Sequence, residues 1–105
     1  GERLLVVLIP DQFQVNDELW SDLMERAVAP SNYDRDYPQK AIAEYCTARG
    51  IRLLDLLPAL RRGEAKGRTY HLRDTHWNAR GNRIAGESIG RWVWERVTPK
   101  DGEPF

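Results

Sequence analysis

Leu4-Leu5-Val6-Val7-Leu8-Ile9 is an unbroken apolar run that stops at Pro10. A strand with one solvated face alternates apolar and polar residues. A run without alternation is the signature of a strand covered on both faces, as in parallel sheets flanked by helices. This stretch predicts an α/β fold. Ile51 to Asp55 reads as a second strand, and the helical segments between the two supply the crossover that parallel pairing requires.

The intervening chain divides into loop and helix. After a loop over Asp11 to Val15, Asn16 is placed to cap a helix whose first turn is acidic (Asp17, Glu18) and whose apolar positions Leu19, Trp20, Leu23, Met24 and Ala27 keep helical spacing. Pro30 to Tyr37, rich in Pro, Ser, Asn and Asp, reads as an extended and flexible loop. Pro38 suits the first turn of a second helix, which runs through Ala41, Ile42, Tyr45 and Cys46 to Gly50. Leu56 to Arg62 reads as a short helix. A final helix is expected from Asn78 to Trp94 or Val97, with Ile84, Ala85, Ile89, Trp92 and Val93 inward. Trp92 and Trp94 cannot both face one core, so one of them is expected to be exposed. Gly81, Gly86 and Gly90 each cost about 1 kcal/mol in a helix relative to Ala, which predicts that this helix packs closely against a neighbour.

The expected architecture is therefore a partial three-layer α/β/α unit with two parallel strands and four helices. Two strands leave both sheet edges and much apolar surface uncovered. Further strands of the same domain, or association of copies into a homo-oligomer, are the two ways to cover them.

Composition narrows the function classes. Apolar residues make up 41% and charged residues 30%, the mixture of a folded globular chain. Lys plus Arg equals Asp plus Glu at 16 each, so there is no broad attraction to phosphate backbones or anionic lipid, and no nucleic-acid partner is expected. The basic stretch Arg61 to Arg68 reads as a solvated loop. The Leu4–Ile9 run is too short to span a bilayer and lacks the flanks of a signal peptide, so no membrane insertion by this segment is expected. Cys46, the single cysteine, sits at helical spacing from Ile42 and reads as a small buried side chain.

Tyr70-His71-Leu72-Arg73-Asp74-Thr75-His76-Trp77-Asn78 carries the chemistry. It sets a carboxylate two residues before an imidazole, in a loop ahead of a helix. Such a loop can bend so that Asp74 accepts the Nδ1 proton of His76, leaving Nε2 free to take a proton from a hydroxyl. Spacing alone also allows Asp74 to be a turn residue and His76 to pack beside Trp77. His71, Asp74 and His76 together offer the donors that zinc takes, but His71 fits no ligand spacing. No metal and no cofactor are expected.

The block Asp74-Thr75-His76-Trp77-Asn78, followed by Gly81 and a helix of small residues, resembles the last conserved block of the SGNH (GDSL) hydrolases, in the branch that includes alginate O-acetylation proteins. Ile9-Pro10 with Gln14-Val15, the Tyr33-Asp34-x-Asp36-x-Pro38 run, and Gly50-Ile51 leading to Leu53-Leu54-Asp55-Leu56 resemble the same branch. The resemblance covers nearly the whole chain to Val97, and residues 1–105 are read as one unit, the C-terminal part of such a domain.

This resemblance implies a flavodoxin-like α/β/α domain with His76 as general base and Asp74 as the acid that orients it. A serine of a Gly-Asp-Ser block would attack an acyl ester, here an acetyl ester of a carbohydrate, in an esterase or an O-acetyltransferase. The sequence departs from the family in having no Gly-Asp-Ser and no counterpart of the usual oxyanion glycine and asparagine. Ser21, Ser31 and Ser88 lack the family context. The nucleophile is therefore expected in a preceding part of the same domain, and the 105-residue chain alone is expected to be inactive. The alternative is a non-catalytic interaction or structural module, whose tryptophans and sheet edges serve contacts.

Overall fold

A computed structural model describes residues 4–97. Strand β1 (Leu5–Leu8) is followed by helix α1 (Gln12–Val15), α2 (Asp17–Arg26), a 3-10 turn at Pro30–Asn32, and α3 (Tyr37–Ala48). Strand β2 (Arg52–Asp55), α4 (Leu57–Glu64) and the long α5 (Ala79–Val97) complete the order. β1 and β2 pair in parallel, with Leu5 opposite Arg52 and Leu8 opposite Asp55. The Leu56 amide donates to the Leu8 carbonyl at 3.1 Å and extends the ladder into α4. The α/β class and the two parallel strands are as expected from the apolar runs.

The core lies where α4, α5 and α1 meet one face of the strand pair. Val15, Leu56, Leu57, Leu60, Tyr70 and Ala85 are buried there, with Val7, Leu54, Trp77, Ile84 and Ile89 packed around them. α5 presents the predicted stripe: Ala85 and Trp92 are buried, while Trp94 is 65% exposed. Cys46 is buried and unpaired.

β1 itself is not covered on both faces. Leu5 to Leu8 are all half-buried, and Leu4 and Ile9 are exposed. The reason is the small sheet: β1 has a hydrogen-bonded neighbour on one side only, and its main packing among the described residues is with β2.

Two segments expected to be loops are more ordered than their composition suggests. Residues 12–15 form α1, a fifth helix, because Gln14 reaches back to accept the Asp11 amide at 2.9 Å, one half of a capping box. The Pro30–Tyr37 stretch, expected to be flexible, is anchored at several points. Arg61 forks onto the Asp36 carboxylate at 2.6 and 3.2 Å, and its Nε donates to the Gln14 carbonyl at 2.8 Å. Arg35 donates to the Phe13 carbonyl at 3.1 Å and pairs with Asp17 at 2.7 Å. Buried Gln14 also donates to Gln39 Oε1 at 2.6 Å, and Gln39 donates back at 3.2 Å. Arg61 thus belongs to a structural network, not to a solvated basic loop.

Of the three glycines in α5, only Gly81 makes the close approach predicted for all. A methyl group there would overlap the Thr69 carbonyl oxygen and lie 3.0 Å from Trp77 Cβ, whereas Gly86 and Gly90 face open space. Opposite signs follow. Gly81→Ala should destabilise the fold by about 1–3 kcal/mol through overpacking, while Gly86→Ala and Gly90→Ala should each stabilise it by roughly 0.5–1 kcal/mol through helix propensity. Urea denaturation of the three variants reads both signs.

Candidate acid-base site

The site is built on residues 68–78, a loop closed at both ends. At its base Tyr70 and Trp77 form an antiparallel bridge, and their rings meet edge to face at 6.5 Å. The His71 amide donates to the His76 carbonyl at 3.0 Å. Tyr70 is fully buried, and its hydroxyl donates to the Pro10 carbonyl at 2.5 Å, just beyond the end of β1. Burial pushes the Tyr70 hydroxyl up to about 12, so it remains a donor throughout the physiological range.

Asn78 locks the other end. Its amide donates to the Thr69 carbonyl at 3.0 Å, its side-chain nitrogen to the Arg68 carbonyl at 2.8 Å, and its side-chain oxygen accepts the Gly81 amide at 2.9 Å. The last of these is the N-terminal cap of α5. Sequence reading singled out Asn78 as part of the block but not as the residue that ties loop to helix.

At the tip, Asp74 donates its amide to the His71 carbonyl at 3.2 Å, closing a four-residue turn. Arg73, within that turn, has φ 53°. A left-handed conformation costs a side-chain-bearing residue about 1–2 kcal/mol, so the turn is held by its surroundings and not chosen by Arg73. The loop brings Asp74 and His76 together as their spacing suggested. Asp74 Oδ1 lies 2.6 Å from His76 Nδ1 and also accepts the His76 amide at 3.0 Å. The imidazole is 82% exposed, and Nε2 has no hydrogen-bond partner among the described residues. A carboxylate accepting at Nδ1 leaves Nε2 as the basic nitrogen.

Beside Asp74 opens a cleft of about 340 Å³ between this turn and α2. Phe13, Leu19 and Leu23 give it an apolar floor, and Asp11, Asp22, Arg26, Arg73 and Thr75 give it a polar rim. Its volume is in the range of small-molecule sites. No serine lines it among the described residues. Ser21 is in α2, Ser31 in the 3-10 turn, and the Ser88 hydroxyl is spent on the Ile84 carbonyl at 2.8 Å. His71, Asp74 and His76 do not converge, and no group of three metal-ligating side chains occurs among the described residues. The α2 residues of the cleft had no signal in the sequence, because their apolar spacing is what any half-buried helix shows.

The contact with His76 holds the Asp74 carboxyl below its ordinary value of 3.8. A carboxyl lowered on folding contributes stability that is present above that ordinary value and is lost as pH falls through the lowered, folded value. His76→Ala should therefore move the Asp74 titration upward, toward 3.8, as read by carboxyl carbon chemical shifts. An unmoved midpoint would break the assigned pairing.

Known proteins match the chain over nearly its whole length. Residues 1–104 match the family described as SGNH hydrolase-like domain, acetyltransferase AlgX. The chain is 26% identical over 104 residues to a probable alginate O-acetylase AlgJ of Pseudomonas syringae pv. tomato. That match covers 99% of this chain and 25% of the relative, so the chain spans about a quarter of that protein's length. No solved structure matches. An Asp-x-His pair on a clamped loop beside a parallel strand pair, and a family match over all but one of its residues, place the chain in the SGNH hydrolase-like domain family of the acetyltransferase AlgX.

Proposed function

We propose that the protein carrying this chain transfers O-acetyl groups to or from carbohydrate hydroxyls, with His76 as general base and Asp74 as the residue that sets its tautomer. The observation that carries the reading is the 2.6 Å contact between Asp74 and His76 Nδ1, with Nε2 turned to solvent. Membership of an acetyltransferase-type SGNH family supports the reaction class, and the alginate O-acetylase named among its relatives supports a polysaccharide acceptor.

Nε2 takes the proton of a serine hydroxyl as Oγ attacks the acetyl carbonyl, and the imidazolium returns that proton to the departing oxygen. A carbohydrate hydroxyl then loses its proton to Nε2, attacks the acetyl-serine, and leaves as the new ester while the serine is reprotonated. Water in place of the sugar makes the same machinery an esterase. The serine is supplied from outside these 105 residues, and the chain alone does not turn over. The remainder of the same domain also covers the half-exposed β1 face. No helix among the described residues is long and apolar enough to cross a membrane.

In the full-length protein, His76→Ala should abolish acetyl transfer. Asp74→Asn should lower kcat by roughly 10⁴-fold, the scale on which losing the tautomer-setting carboxylate acts in serine hydrolases. Turnover unaltered by either change sinks the reading. A Gly-Asp-Ser block is expected in the coding sequence upstream of this chain, and Ser→Ala there should match His76→Ala.

A further inference from the structure

The His76 ring has little to hold it. It stands in solvent, and its orientation depends on the direction of the Asp74 carboxylate. That direction depends on the backbone just before it, where Arg73 is left-handed at φ 53°. A conformation of this kind persists only where neighbouring contacts over-determine it. Within the turn the His71 carbonyl accepts the Asp74 amide at 3.2 Å. From outside the turn the same carbonyl accepts one more donor, the side-chain amide of Gln12, also at 3.2 Å.

Gln12 is 5% exposed and is the first residue of α1, two positions beyond the proline that ends the β1 run. It lies 59 residues from His71 in sequence. Its hydrogen bond is therefore a cross-tie from the end of β1 to the turn that aims the acid. Gln12 also lines two clefts that share Arg73 of that turn. A buried side-chain donor at a carbonyl already bonded within its turn is an anchor from outside the turn, and removing it would leave the turn held only by its own bond.

We propose that Gln12 is a positioning residue for the Asp74–His76 pair, holding the 71–74 turn in the strained form that presents Asp74 to Nδ1. It acts through the His71 carbonyl, and its side chain hydrogen-bonds to neither Asp74 nor His76. The proposal rests on the reading of this pair as acid and base. Its test needs no substrate, so its failure is distinguishable from failure of the proposed reaction.

The test is the tautomer of neutral His76 in the full-length protein, labelled with ring-¹⁵N histidine at alkaline pH and assigned by difference from His76→Gln. In the native protein Asp74 selects the Nδ1–H form. A free imidazole prefers Nε2–H. Gln12→Met keeps the volume without a donor, and Gln12→Glu keeps the shape but sets an acceptor against the His71 carbonyl. Both should move His76 from mainly Nδ1–H to mainly Nε2–H. Adding Arg73→Gly to Gln12→Met should restore part of the Nδ1–H population, because glycine adopts positive φ at no steric cost. An unchanged tautomer in either folded variant overturns the proposal. So does a shift that Arg73→Gly fails to reverse, since the effect would not then run through the turn. Loss of the fold in both single variants overturns it as well, because Gln12 would be a determinant of the fold and not of the loop.

Discussion

The closure of α5 onto Thr69 is the constraint on which the rest of the site depends. Thr69 is fully buried, and its carbonyl receives the Asn78 amide while Gly81 comes close enough that no side chain fits between. Its own amide and hydroxyl are taken by the Glu64 carboxylate at the end of α4, at 3.0 and 3.3 Å. One residue thus joins the end of α4, the base of the loop and the first turn of α5. The loop between Thr69 and Asn78 has no freedom at its ends, which is the condition for a short surface turn to carry a defined pair of side chains. A site on a loop is only as precise as the elements that fix the loop.

A second constraint fixes the far side. α1 has only four residues, too few to be stable as an isolated helix. It is held by polar contacts from three directions: Gln39 of α3 onto Gln14, Arg61 of α4 onto the Gln14 carbonyl, and Arg35 onto the Phe13 carbonyl. Arg61 also lowers the Asp36 carboxyl from its ordinary value through its charged hydrogen bonds, so the 34–36 segment is pinned to the same point. Buried amides and a charged fork are costly to leave unpaired. The network therefore favours one arrangement of α1 over others more strongly than apolar contact alone would, and α1 carries the floor of the cleft through Phe13.

What the sequence made legible follows from the range of each interaction. β1, β2 and α5 were readable because apolar runs and helical spacing are local patterns, and the Asp74–His76 contact was readable because it spans two residues. α1 was missed although Asp11-x-x-Gln14 is a capping pattern, since a single turn offers no periodicity to support it. The anchoring of residues 34–36 depends on an arginine 25 positions away from Asp36, and nothing local marks Asp36 as its partner. Gly81, Gly86 and Gly90 are equivalent in sequence and differ only in what faces them. The apolar run of β1 implied cover on both faces, and the described chain supplies only part of it, so that pattern reads as a statement about a larger sheet.

The exposure of the pair bears on how its chemistry works. Asp74 and His76 side chains are 45% and 82% accessible, so water and salt screen the charge between them. In that setting the carboxylate orients the ring through hydrogen-bond geometry more than it stabilises an imidazolium through charge. Electrostatic help of the size enzymes need comes from fixed dipoles in a site from which water is excluded. In the proposed reaction the chain would provide the oriented imidazole and one wall, with an apolar floor at Phe13, Leu19 and Leu23. A serine brought to Nε2 would arrive with backbone of its own on the solvent side, and that same approach would shield the pair. Orientation and exclusion of water are thus separable contributions, and the geometry of these residues supplies the first.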